Sequence, residues 1–334
     1  MKVRAFLIAL VISAAPVAAI DERDHGRTAI AERLPRVVHR GGPFLRQPAI
    51  TTVTFDGDDP RLVARLESFG EMIGRSAWWR EVTAGYCVDA KDCVGAARAE
   101  RSVRLTRELA QRIRDVDVEA LLEREIETGA LIHLNRNAVL VVYLPPHVRL
   151  SDAFSPQYCG NGPRAFHRML RTKRGSFPFA VIPRCGDEAE TTARASHEIF
   201  EATTNPDPGD PGFRMPPGSP AIAFSAAGAE PADVCGLLNQ DRHRTDESGF
   251  RLQRVWSNRA ATAGTDPCVP SSSLRPYVAL MPRVPGVRLQ SQGAQLGPLI
   301  LIDPPVVPPA SLHPRRRNGR RLSVAVKRTW PRIS

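Results

Sequence analysis

The stretch Val139–Leu144, VLVVYL, followed by Pro145-Pro146, constrains the fold more than any other. Six apolar residues in a row, mostly β-branched, cannot alternate between core and water. They read as a strand buried on both faces, ended by residues that cannot continue a ladder. Phe179–Ile182, FAVI, ended by Pro183, is a second run of the same kind. Ile50–Phe55, ITTVTF, reads as a first strand, and Asp56-Gly57-Asp58-Asp59-Pro60 as a turn into a helix with proline at its first position. Leu62, Val63, Leu66, Phe69, Met72 and Ile73 keep helical spacing after it. Helices interleaved with buried strands give an α+β class of fold.

Val103–Arg114 and Val116–Thr128 read as two further helices, and Trp78-Trp79 as core aromatics. Phe250–Trp256 reads as a strand late in the main domain, and Tyr277–Met281 and Pro298–Ile302 as short strands of a small β-rich C-terminal section. The segments are a leader over 1–19, a flexible N-terminus over 20–49 and a main domain over 50–264. The β-rich section follows over 265–303, then a Pro-rich linker and disordered basic tail over 304–334. Asp207–Ser219, rich in Pro and Gly, reads as a long ordered loop or lid.

The leader has Lys2 and Arg4, the apolar run Ala5–Ile12, and small residues Val17-Ala18-Ala19 for cleavage. No later stretch is apolar for long enough to cross a membrane, so the expected location is secreted, periplasmic or at the cell surface. Six cysteines then read as disulfides, paired locally as Cys87/Cys93, Cys159/Cys185 and Cys235/Cys268, each couple bracketing one segment. No C-x-x-C is present, which speaks against a thiolate metal site.

The net charge is +11, and Pro314–Ser334 carries eight basic residues and no acid, leaving about +3 for the rest. The tail suits an anionic cell-surface polymer. A specific nucleic-acid partner is not expected, because no binding module is present.

Chemistry concentrates after FAVI, in Thr191–Pro206, TTARASHEIFEATTNP. It reads as a helix capped by Thr191 or Thr192 and ended by Asn205-Pro206. Within it is H-E-x-x-E. His197 and Glu201 share one helix face and can reach one ion; Glu198 stands beside them as general base. Glu230 and Asp233 are the distal third-ligand alternatives, and the one left over is expected to orient His197 through its second nitrogen. Carboxylate-rich ligation keeps calcium open beside Zn2+. The bland alternative is that Glu198 and Glu201 are solvated helix residues, with His197 in a polar network.

The order of motifs resembles the exported EXORDIUM/phosphate-induced protein family and its bacterial relatives. The matching stretches are Ser76-Ala77-Trp78-Trp79, Val139–Pro146, and Cys159 to His167. They continue through Ala180–Pro183 with Cys185, Ser196-His197-Glu198 with Glu201, and Thr204-Asn205-Pro206. Last come Glu230 with Asp233 and Cys235, and Val255-Trp256-Ser257-Asn258 with Cys268. Pro231-Ala232 departs from the usual Ile-Gly, and Phe213 from the usual Trp. The resemblance implies a zincin-like mixed sheet carrying an active-site helix. It also implies a secreted metallopeptidase, a hydrolase whose metal-activated water attacks a peptide bond of a peptide or protein substrate. Glu198 would act as base, and His167 would stabilise the oxyanion or line the cleft. The alternative it leaves is a non-catalytic extracellular or cell-surface binding protein on a zincin-like scaffold.

Overall fold

The computed structural model describes residues 34–153, 157–159, 165–217, 219, 230–238 and 249–271. In chain order, the first half holds strands β1 (Val38–His39) and β2 (Ala49–Phe55), then helices α1 (Pro60–Ile73) and α2 (Ala77–Thr83). Strands β3 (Arg98–Ala99), β4 (Val103–Leu105) and β5 (Arg112–Arg114) lead into helix α3 (Asp115–Thr128). Next come strands β6 (Ala138–Tyr143), β7 (Arg149–Ser151), β8 (Phe166–Thr172) and β9 (Gly175–Ile182), then helix α4 (Glu188–Thr204). Strand β10 (Phe213–Arg214), a 3-10 turn over Asp233–Leu238, strand β11 (Val255–Trp256), helix α5 (Asn258–Thr262) and strand β12 (Cys268–Val269) complete the described chain.

The sheet is mixed, as an α+β fold requires. Its order is β3–β2–β6–β9–β8, with β4 also beside β2. Strands β2, β6 and β9 run parallel; β8 returns antiparallel to β9 at the edge. VLVVYL is the middle strand, and all of β6 is buried. Alternate residues divide it between two cores. Val139, Val141 and Tyr143 join Leu66, Phe69 and Ile73 of α1 and Ala195, Ile199 and Phe200 of α4. Ala138, Leu140 and Val142 join Val118, Leu121, Leu122 and Ile126 of α3. Each such large apolar side chain contributes about 1.5–3 kcal/mol on burial. Helix α1 starts as its sequence directs, with Pro60 in its first turn and the Asp59 side chain accepting from Arg61 N. It lies so close to β2 that a Cβ at Gly70 would stand 2.1 Å from Thr52 Oγ1.

Several expectations are corrected. The helix expected over Val103–Arg114 is two short strands and a link. Val103–Leu105 pairs in parallel with Val53–Phe55, and Arg112–Arg114 with Arg149–Ser151. The open edge of β2 offers backbone partners that a helix there would leave unmade. Helix α4 begins a turn earlier than Thr191: Asp187 caps it, accepting from Glu190 N, while Thr191 and Thr192 are buried within it. Its C-terminal boundary at Asn205 is as expected. Of Phe250–Trp256 only Val255–Trp256 forms a strand, with β12. The rest runs along α4, where Gln253 N donates to Ser196 Oγ and Thr192 Oγ1 to the Arg251 carbonyl.

The N-terminal segment expected to be loose is packed from residue 34 onward. Leu34, Val37 and Phe44 are buried, and β1 pairs with β10. That pairing also anchors the segment read as a loop or lid: Phe213 packs against Phe44 and Tyr86. Trp78 and Trp79 are core, each edge-on to Phe200. The three disulfides pair as expected, Cys87–Cys93, Cys159–Cys185 and Cys235–Cys268. Among the described residues no helix is long and apolar enough to cross a membrane. The leader, the strands expected at Tyr277–Met281 and Pro298–Ile302, and the basic tail lie outside the described residues.

Candidate metal centre

Four segments meet over the C-terminal half of α4. The helix supplies His197, Glu198 and Glu201, and the edge strand β8 supplies His167. The segment 230–238 brings Glu230 and Asp233, and the segment before β11 brings Gln253. Glu198 is 5% exposed and Glu201 2%. That rules out the reading of them as solvated helix residues; buried carboxylates need partners.

Five of the six ionisable groups form two sets that share Glu201, each with its ligand atoms within 4.8 Å of one another: His197, Glu201 and Asp233; and His167, Glu201 and Glu230. In the first, His197 Nε2 stands 2.9 Å from Glu201 Oε2 and 3.6 Å from Asp233 Oδ1. Helical spacing explains the first distance, because i and i+4 stack on one face. Glu201 Oε1 accepts from Ala232 N at 3.2 Å, which fixes the carboxylate and the incoming turn together.

The second set is already paired within the protein. His167 Nδ1 lies 3.1 Å from Glu198 Oε2, and Nε2 lies 3.1 Å from the Asn205 carbonyl oxygen. Glu230 accepts from the Asn205 side-chain amide and lies 3.6 Å from Arg214. The structure therefore separates the two third-ligand alternatives: Asp233 faces His197, and Glu230 faces His167. The leftover carboxylate does not orient His197. Its Nδ1 meets the Gln253 side-chain amide instead. His167 has no nitrogen left for a substrate oxyanion. Buried with both nitrogens engaged, it sits behind Glu198 and holds one of its oxygens, while Glu198 Oε1 lies 3.9 Å from His197 Nε2.

The electrostatics follow from this crowding. Burial, with Glu230 and Asp233 nearby, pushes the Glu201 carboxyl up to about 8, although His197 opposes it. Asp233 is also raised, chiefly by burial. Burial alone would lower both histidines, but the carboxylates outweigh it. His167 is held up to about 9 by the hydrogen bond to Glu198 and the charges of Glu230, Glu198 and Glu201. His197 is held well above its ordinary value, mainly by Glu201 and Glu198. Acids raised and bases raised together mark a buried surplus of negative charge. One imidazole and two carboxylates around a point fit a divalent cation that accepts oxygen and nitrogen. The donor set does not fix which cation.

Gln253, Asn205 and Arg214 were not singled out as site residues by the sequence. Gln253 lies in an alternating run whose other members pack or pair, and nothing in its local pattern marks it. Comparison with protein-family models, curated proteins and solved structures found no match for this chain.

Proposed function

We propose that the chain is an exported metallopeptidase with a zincin-like site, the activity implied by the motif order it shares with the EXORDIUM/phosphate-induced proteins. The observation that carries this is the convergence of Asp233 on His197 and Glu201, with Glu198 beside them. Zinc is the ion the resemblance implies, and calcium is the other ion such a carboxylate-rich set can take. His197, Glu201 and Asp233 would hold the ion, which would supply Lewis acidity toward a peptide carbonyl and a nearby water. Glu198 takes the proton from that water through Oε1 and delivers it to the leaving amine. His167 holds Oε2, so the free oxygen keeps one direction. Export is supported by the leader pattern and by three disulfides, which persist in oxidising compartments. The basic stretch Arg315–Arg332 supplies attraction to anionic surface polymers.

The test is metal analysis of the purified protein together with peptide hydrolysis by Glu198→Gln. The expected result is one equivalent of ion in both proteins and a loss of roughly 100- to 10,000-fold in turnover, the usual range for removing a general base. Wild-type turnover in the variant would sink the assignment.

A second reading is a binding protein on the same scaffold with a structural ion. It is favoured by how little of the site meets solvent: the side chains of His197, Asp233 and Glu230 are 15%, 17% and 13% exposed. Bound ion without hydrolysis of any peptide in a diverse library supports this second reading.

A further inference from the structure

We infer that Gln253 is the positioning residue of the proposed ion site: its side-chain amide orients His197 for the ion and, in the ion-free chain, ties the turn carrying Asp233 to the ligand helix. This rests on the proposed ion site and adds a group to it that no ligand motif contains.

The amide is placed at a junction. Its Nε2 position touches His197 Nδ1 and lies 3.2 Å from the Ala232 carbonyl oxygen, one residue before Asp233. The backbone of Gln253 is fixed on both sides. Its N–H donates to Ser196 Oγ at 2.8 Å, one residue before His197. Its carbonyl accepts from Trp78 Nε1 at 3.0 Å. Trp78 is itself buried beside Trp79 and Phe200. The side chain therefore has little freedom to be elsewhere, and one amide bridges the two segments whose ligands must converge.

Proton bookkeeping on the imidazole gives the amide its task. An ion on His197 Nε2 needs that nitrogen free of hydrogen, so the hydrogen sits on Nδ1 and needs an acceptor. The Gln253 side chain is the group in contact with Nδ1, and its carbonyl oxygen is its acceptor. In the ion-free arrangement Nε2 instead faces Glu201 Oε2 at 2.9 Å and the amide nitrogen stands at Nδ1. A half-turn of the amide about its last torsion exchanges the two arrangements. Oxygen and nitrogen of a glutamine amide are assigned from such networks; with its oxygen toward Nδ1 the amide gives up the bond to the Ala232 carbonyl, so it orients the imidazole when the ion is bound and ties the Asp233 turn when it is not. A carboxylate at this position would serve only the ion-bound arrangement, because it can accept but cannot donate.

The experiment measures Co2+ and Zn2+ affinity by chelator competition for the full chain, wild type, Gln253→Leu and Gln253→Glu. It also records the Co2+ absorption spectrum and the melting temperature without ion. The expected result is a 10- to 100-fold weaker affinity for Gln253→Leu, the usual cost of losing an outer partner of a ligating histidine. Gln253→Glu is expected to bind within about threefold of wild type or tighter, with the wild-type Co2+ spectrum, since a carboxylate is an ordinary partner for such a histidine. A purely structural role predicts no such rescue, because glutamate also loses the bond to Ala232. If the leucine protein does not fold, Gln253→Met, of similar length and without an amide, replaces it. Leucine or methionine affinity equal to wild type, or glutamate as weak as leucine, overturns the inference while leaving the ion site standing. A wild-type protein that binds neither ion overturns both.

Discussion

Two sets of charges taken out of water among the described residues are balanced differently. Asp58, in the turn after β2, and Arg184, just after β9, form a two-pronged pair whose side chains are 1% and 4% exposed. One negative charge faces one positive charge. Over the second half of α4, four carboxylates face two histidines, with Arg214 at the edge. The first set is complete as folded. The second carries protons on both kinds of group because, among the described residues, no cation beyond Arg214 reaches it. A buried ion pair of the first kind holds two loops in place. A surplus of the second kind could hold a cation supplied from outside.

The comparison breaks most sharply if one partner is removed from each set. Asp58→Ala leaves Arg184 buried and unpaired, at an expected cost of about 3–5 kcal/mol in chemical denaturation. Glu201→Gln in the ion-free protein is expected to cost far less at neutral pH, because burial already pushes that carboxyl toward its protonated form. The same variant should lose the melting-temperature rise that added ion gives the wild type. Equal destabilisation by the two substitutions would show that both sets are structural.

A second contrast lies inside the acidic set. Asp233→Ala should weaken ion binding by roughly 100-fold or more, beyond the 10- to 100-fold typical of an outer partner. Glu230→Ala should stay within that outer range, because Glu230 is engaged by Asn205 and Arg214. Isothermal titration of both variants decides this, and the reverse order would exchange the two roles.

The smallest effect is on pH. Glu201 rises on folding from 4.5 to about 8, and His167 from 6.5 to about 9. A raised folded-state value means that the folded chain holds protons the unfolded chain has released. The stability this adds is full below the unfolded values. It is lost between about pH 4.5 and 8 for Glu201 and between about 6.5 and 9 for His167. The ion-free melting temperature should therefore fall as pH rises from 5 to 9. Bound ion should flatten the fall, and its affinity should increase with pH, because Glu201 and His197 must release their protons to hold it. Melting curves with and without chelator across that range check both signs.

What was legible follows the same division. The buried strands β6 and β9, helix α1 and the H-E-x-x-E helix could be read because long apolar runs and four-residue spacing leave one arrangement. The local cysteine pairs were legible for a similar reason, since each brackets one segment. Val103–Arg114 was misread because three-residue strands carry too little periodicity to outweigh a helical impression. The first pairs with a sheet edge formed fifty residues earlier in the chain, and the second with a strand that comes later. Glu230 and Asp233 could be nominated from spacing but not told apart. Their roles depend on Asn205 and Arg214, which reach Glu230 from beyond the helix end. Gln253 was invisible because its value lies in touching three segments at once.

The Cys235–Cys268 bridge closes a loop of 33 residues whose first cysteine lies two residues after Asp233 and whose second sits in β12, beside the strand that follows Gln253. Before it forms, the Asp233 turn is held only by contacts such as Ala232 N to Glu201. Closing the loop removes about 3–4 kcal/mol of freedom from the open chain. The bridge thus holds the turn that carries Asp233 against the segment that follows Gln253 by a covalent tie as well as by hydrogen bonds.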